Sequence, residues 1–325
     1  MSSLPLPSVY GRFRDAVHSW ASVENFLGAT SWNDGIHQIF TTPEYWVDVL
    51  IRGDLGKWPE GRRLPVFFNG AVTRGVSEPP FFSGSSLAVE VGAPVIAIAD
   101  PTLNLRADLG IGWYLGSPKA DVFGALSSIL LEIGRRAASQ LLLVGGSAGG
   151  FAALKYANHL GVSAFVWNPQ TDLLHYSAFA TRPLLGTLLP DGEWESVSTG
   201  AISELPPSAV PPIDHHVAEQ AMRAVGLSNT VGPAHSQSAV LYLQNETDHH
   251  VERHARPYID ATGMESLGSG IFVKGQQVVA IGGYNTGHRA PPREVVDMGL
   301  RCMMRYSSDP LTLGCDMRKT YGSTT

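Results

Sequence analysis

The sequence predicts an α/β protein: a mostly parallel central sheet flanked by helices, with a cap inserted between two of its strands. Three observations predict it. Short apolar runs of strand length alternate with segments of helix length, as in parallel sheets whose strands are buried on both faces. One run, Leu141–Val144, enters Gly145-Gly146-Ser147-Ala148-Gly149-Gly150 and leaves as the helix-compatible Phe151–Tyr156, giving a strand, a sharp turn and a helix. Between about 172 and 236 the rhythm breaks into Pro206-Pro207, Pro211-Pro212 and small polar residues, the composition of an irregular excursion.

The elements follow in order. Residues 1–60 form a prelude, with a helix expected over Phe13–Phe26. Gly35–Phe40 and Tyr45–Ile51 then alternate like the strands of an antiparallel hairpin. The core occupies 61–171 and 237–310. Leu64–Phe68 reads as a buried strand ending at Asn69-Gly70-Ala71, and Ala93–Asp100 as another after a helix-sized gap. Asp121–Ala138 has helical periodicity, with Val122, Leu126, Ile129, Leu130 and Ile133 on one face. Ser163–Asn168 is the strand before the cap at 172–236. The last two strands expected are Ala239–Leu243 and Gln277–Ile281, and a helix over Pro292–Met304 closes the core before a tail at 311–325.

Composition narrows the function classes. In 325 residues, 44% apolar and 16% charged content is that of a soluble globular protein, and a net charge of -6 gives no basic footprint for nucleic acid or anionic membrane. No apolar run approaches the ~18 residues of a membrane span, and Met1–Pro7 lacks the charged and apolar regions of a leader. Cys302 and Cys315 are the only cysteines. They could form one bridge, but two thiols in so long a chain fit a reducing cytoplasm at least as well, and the expected location is cytoplasmic.

The chemistry centres on Ser147. A serine hydroxyl attacks only when a base removes its proton and a carboxylate orients that base. Groups at the carboxyl ends of parallel strands converge, so partners are sought there. His288, in the loop Gly282-Gly283-Tyr284-Asn285-Thr286-Gly287-His288 after the last strand, is the candidate base. Asp248, at the end of Leu241–Asp248, is the candidate acid. Asp172 after the preceding strand competes with it, as do the neighbouring Glu246 and, in the cap, Asp214. An acyl intermediate needs two amide donors for its oxyanion. Ala148, just after the nucleophile, and Ala71, in the loop after Phe67-Phe68, are the candidates, with Gly70 giving the flexible approach; alternatively Asn69-Gly70 is an ordinary turn. Trp113, Tyr114 and Tyr284 fall in loops above the strand ends, as candidate walls of an acyl or aromatic pocket alongside Gly70. No Lys-Ser or Lys-Thr follows the glycines, which argues against a phosphate loop. His250 and His254 are spaced i, i+4, but without His-Glu-x-x-His or a nearby cysteine they read as a helix start, and no metal is expected.

Taken together, Phe67-Phe68-Asn69-Gly70-Ala71, Gly145-Gly146-Ser147-Ala148-Gly149, Asn245-Glu246-Thr247-Asp248 and Gly287-His288 resemble the α/β-hydrolase superfamily over roughly residues 60–305. That resemblance implies the α/β-hydrolase fold, an eight-stranded, mostly parallel sheet, and acyl-enzyme chemistry with neither metal nor organic cofactor. Asn69 departs from it, standing where many members carry histidine before glycine. Phe81-Phe82-Ser83-Gly84, Asp100-Pro101-Thr102-Leu103 and Gly112-Trp113-Tyr114-Leu115-Gly116-Ser117 further resemble the accessory-secretion and capsule-associated branch, some of whose proteins are linked to glycan acetylation. The expected partner is a small-molecule or glycan ester. The expected activity is hydrolysis of a carboxylic ester on a Ser-His-Asp triad. The alternatives are acyl transfer to or from a glycan or other acceptor, and a non-catalytic binding protein on the same fold.

Overall fold

A computed structural model describes residues 8–75, 78–189, 212–233, 235–236 and 238–321. Among these, eleven strands form one sheet. They are β1 (Val17–Trp20), β2 (Gly35–Thr42), β3 (Tyr45–Arg52), β4 (Leu64–Phe68), β5 (Val95–Ile98), β6 (Leu141–Gly146), β7 (Ser163–Trp167), β8 (Val240–Asn245), β9 (Glu265–Gly268), β10 (Ile271–Lys274) and β11 (Gln277–Gly282). Their spatial order is β1-β2-β3-β5-β4-β6-β7-β8-β11-β10-β9. The central run from β5 to β11 is wholly parallel. β3 joins β5 antiparallel, and β10 and β9 extend the other side antiparallel. Every residue of β4, β5 and β8 is buried, as expected of strands covered on both faces.

The helices are α1 (Val23–Leu27), α2 (Ser85–Glu90), α3 (Val122–Arg136), α4 (Ala148–Leu160), α5 (Ala178–Leu188), α6 (His215–Ala224), α7 (Arg256–Thr262), α8 (Arg293–Met303) and α9 (Pro310–Tyr321). α3 buries the apolar face expected of it, with Leu126, Ile129, Leu130 and Ile133 fully enclosed. α4 packs against β4, β6 and β7, α8 against β7, and α9 against β8 and β11. The result is the α/β-hydrolase fold: a mostly parallel sheet flanked by helices.

Three expectations change. Phe13–Phe26 is not one helix. Val17–Trp20 pairs in parallel with β2, Val17 opposite Ile36, and only Val23–Leu27 is helical, started by the Ser22 side chain accepting from the Asn25 N–H. Backbone pairing with an existing strand overrides the weak helical spacing there. Second, the sheet has eleven strands rather than eight, because β1 is added at one rim and a β9–β10 hairpin at the other. Glu265-Ser266-Leu267-Gly268 ends on glycine, has one apolar side chain and is exposed at every position, so it lacks the apolar signal of a strand. Its pairing with β10 slips register between Ile271 and Phe272. Third, most of the expected tail is helix: Leu313 and Met317 of α9 are buried. Cys302 and Cys315, whose pairing the sequence left open, are unbridged. Of the segment expected as a cap, residues 190–211 and 234 lie outside the described residues, and with them Pro206, Pro207 and Pro211; the described part includes α5 and α6.

Candidate active site

Ser147 sits at the turn between β6 and α4 with φ 54° and ψ −122°, a backbone conformation that side-chain-bearing residues seldom adopt. The turn is this tight because its neighbours lack side chains. A Cβ on Gly149 would overlap the backbone carbonyl of Phe68, and one on Gly146 would overlap the indole of Trp167. The hydroxyl is thereby held at the carboxyl end of the sheet, at the start of α4.

Three side chains meet there. The Ser147 hydroxyl lies 2.9 Å from His288 Nε2, and His288 Nδ1 lies 2.7 Å from Asp248 Oδ2. The Asp248 side chain is fully buried, and its Oδ1 accepts the His250 N–H at 3.0 Å. Burial pushes this carboxyl up, but the His288 hydrogen bond and the His250 amide outweigh it and hold the group at about 2. A carboxylate ionised at neutral pH selects the imidazole tautomer with its proton on Nδ1, leaving Nε2 to accept from Ser147.

The competing acids are engaged elsewhere. Asp172 accepts from the Leu174 N–H and from Asn229 Nδ2, each at 2.9 Å. Glu246 faces Arg318 at 3.7 Å, and Asp214 caps α6 through the Val217 N–H.

The base loop is held by two asparagines that sequence reasoning passed over. Asn245 Nδ2 donates to the carbonyls of Gly287 (2.8 Å) and Arg289 (2.6 Å), the residues on either side of His288. Asn168 Nδ2 donates to the same Arg289 carbonyl at 2.8 Å, and Asn168 Oδ1 accepts the Asn245 N–H at 2.8 Å. Gln170 was also missed. Fully buried, it donates from Nε2 to Ser147 Oγ at 2.9 Å. Only its position at the carboxyl end of a central strand could have singled it out.

On the oxyanion side, Ala148 is the first residue of α4, where an N–H has no acceptor within the helix. Gly70 and Ala71 line the same cavity as Ser147, and a Cβ on Gly70 would come within 3.8 Å of Ser147 Cβ. That cavity, about 420 Å³, is otherwise mainly apolar, with Phe67, Phe68, Leu87, Trp167 and Ala290 in its walls.

Three expected pocket residues are not in those walls. Trp113 and Tyr114 are 0% and 1% exposed, and Tyr284 is buried as well. Apolar rings this large gain more from enclosure than from a solvent-filled cleft. Tyr114 instead pins the loop from beneath: its hydroxyl accepts the Asn69 N–H at 2.7 Å and lies 2.9 Å from the Ile98 carbonyl. Trp113 donates to Gln170 Oε1 at 3.3 Å.

His250 and His254 are fully buried behind the base. Burial, with neighbouring histidines, holds them down to about 3 and about 2 respectively, so both are neutral. Donor atoms of Asp248, His250 and His288 lie within 4.8 Å of one another. His250 Nδ1 lies 3.2 Å from the Asn168 carbonyl and His288 Nδ1 is bonded to Asp248, while His250 Nε2 is buried without a hydrogen-bond partner among the described residues.

Comparison with known proteins bears on the fold. No protein-family model matches the chain, and no curated protein matches it in sequence. Among solved structures, the capsule O-acetyltransferase of Neisseria meningitidis serogroup A is similar at a TM-score of 0.54 and 11% identity, over 85% of this chain and 97% of that one. The Gap123 glycosylation-associated protein complex from Streptococcus agalactiae matches at a TM-score of 0.47 and 15% identity. There 81% of this chain covers only 44% of the other. An acetyl xylan esterase from Aspergillus awamori matches at 0.45 and 13% identity, over 82% of this chain and 98% of the esterase. At 11% identity the likeness to the O-acetyltransferase concerns the fold alone.

Proposed function

We propose that the chain is a serine hydrolase that cleaves a carboxylic ester through an acyl-enzyme on Ser147. The observation that carries this reading is the unbroken relay of 2.9 Å and 2.7 Å from Ser147 through His288 to a buried, ionised Asp248, opening onto an apolar cavity. His288 Nε2 takes the hydroxyl proton as Oγ attacks the ester carbonyl. Asp248 stabilises the imidazolium that forms. The amides of Ala148 and Ala71 hold the oxyanion; one such donor is worth about 3 kcal/mol. The imidazolium protonates the leaving alcohol, and water, with His288 as base, releases the acid. Two unpaired thiols suit a reducing compartment such as the cytoplasm.

The test is turnover of p-nitrophenyl acetate. Ser147→Ala should lose at least about 10³-fold in kcat while keeping its fold by circular dichroism. A fluorophosphonate probe should label wild type at Ser147. Full activity in the alanine variant would refute Ser147 as the nucleophile, and failure of wild type to label would favour a binding protein instead.

A second reading keeps the same groups and delivers the acyl group to an acceptor hydroxyl, for example on a glycan. It is supported by the fold shared with a capsule O-acetyltransferase. Adding candidate acceptors separates the two: transfer diverts product from free acid to acylated acceptor, and hydrolysis does not.

A further inference from the structure

Among the described residues Ser147 Oγ has two hydrogen-bond partners, and the serine, base and acid account for only one. The other is Gln170 Nε2 at 2.9 Å. Which end of this carboxamide faces the serine is fixed from outside: Trp113 carries a donor and no acceptor, and its Nε1 points at Gln170 Oε1 at 3.3 Å. The amide nitrogen is thus the end left for Oγ. The Gln170 backbone N–H is also 3.4 Å from the Ser147 carbonyl, which ties the two residues together again. Gln170 is 0% exposed, so its carboxamide reaches the partly exposed Ser147 from the buried side.

We propose that Gln170 is a catalytic residue for release of the acyl group, donating to Ser147 Oγ as that oxygen becomes the leaving group. The inference rests on the acyl-enzyme reading above. Its logic is a comparison of states. In the resting enzyme Oγ is a hydroxyl that already accepts from Gln170, so the bond contributes similarly before and during acylation. In the acyl-enzyme Oγ is an ester oxygen, a poor acceptor, and the bond is weak. Water then adds to the acyl carbon, giving its proton to His288 Nε2. As the tetrahedral intermediate collapses, the bond between carbon and Oγ breaks and its electron pair moves onto Oγ, which takes the proton back from His288. During that step Oγ carries developing negative charge, and the Gln170 N–H bond strengthens. Interactions stronger in the transition state than in the state before it accelerate that step alone. Gln170 therefore speeds deacylation more than acylation.

The experiment is Gln170→Met, close in length and shape but without the donor, assayed with p-nitrophenyl acetate in stopped flow alongside intact-protein mass spectrometry. Expected is a fall in kcat on the order of 10- to 100-fold with a parallel fall in KM, so that kcat/KM stays within about threefold. The p-nitrophenolate burst should approach one per enzyme, and the acetylated protein should accumulate. Trp113→Phe, which frees the carboxamide to turn, should show the same signature more weakly. A mere loss of packing would lower kcat and kcat/KM together, with no trapped acyl-enzyme, and would overturn the proposal. Unchanged kcat in both variants would do so too. If wild type itself never acylates at Ser147, the underlying acyl-enzyme reading fails and this role with it; if wild type acylates and Gln170→Met traps nothing, Gln170 alone is refuted.

Discussion

The φ of 54° and ψ of −122° at Ser147 make a prediction that can be separated from chemistry. A residue with a Cβ in such a conformation stores about 1–3 kcal/mol. Glycine at the same place stores almost none, but costs roughly 0.4–1 kcal/mol more in unfolded-chain entropy than alanine. Ser147→Gly and Ser147→Ala both remove Oγ, so both lose the bonds to His288 and Gln170 and that loss cancels between them. What remains is strain relieved minus entropy lost. Ser147→Gly should therefore be more stable than Ser147→Ala by about 1.3 kcal/mol, within a range of roughly 0–2.6. The 7 tryptophans make fluorescence a convenient probe of urea unfolding. With a slope near 3 kcal/mol per molar, the midpoints should differ by about 0.4 M. Were the alanine variant the more stable of the two, the elbow would not be strained, and the account of why small residues surround it would be wrong.

Other consequences can be measured alongside. His37, His250 and His254 are buried and held down to about 4, about 3 and about 2, chiefly by burial, against an ordinary 6.5. The unfolded chain binds protons that these folded sites refuse, so stability is present above pH 6.5. It falls as pH drops from 6.5 toward 4, by about 1.4 kcal/mol per pH unit for each histidine. Urea midpoints at pH 7, 6 and 5 should show this steep decline, and His254→Gln should make it about a third shallower; a parallel decline in the variant would refute the assignment. Asn245→Leu removes both bonds to the carbonyls flanking His288, and kcat should fall about tenfold or more as the base loses its position. Wild-type kcat in that variant would show that the loop holds itself. Gly149→Ala forces a Cβ onto the Phe68 carbonyl, which backbone cannot yield cheaply. A loss of about 3 kcal/mol in chemical denaturation is expected, against no change if strand and helix can separate there.

How much of this could be read from residues alone follows physical lines. The central strands were legible because parallel strands buried on both faces leave continuous apolar runs, as Leu64–Phe68 and Leu141–Val144 do. Ser147, Asp248 and His288 were legible as candidates because each ends a strand or follows one, and the fold brings such ends together. β1 and β9 were not: Val17–Trp20 and Glu265–Gly268 are half-buried or exposed, and what makes them strands is a neighbour's backbone, which leaves no mark in their own side chains. Trp113, Tyr114 and Tyr284 were placed in the right region but on the wrong side of its surface. Sequence position tells which loop a ring belongs to; packing decides whether it faces the cavity or the core. Gln170 and Asn168 carry no motif, since a carboxamide declares its use only through its partners.

The two rims of the sheet have a consequence for behaviour at high concentration. A long sheet with bare outer strands offers unpaired amides and carbonyls to any second molecule, the usual start of strand-by-strand aggregation. Here the outermost strands are only four residues each, Val17–Trp20 at one end and Glu265–Gly268 at the other. The second opens with a carboxylate, closes on glycine and slips register against its own partner, so an incoming strand meets charge and an irregular ladder. A chain whose interior strands are among the most self-adhesive sequences it has thus keeps them in the middle, and presents at its margins the segments least able to template a copy.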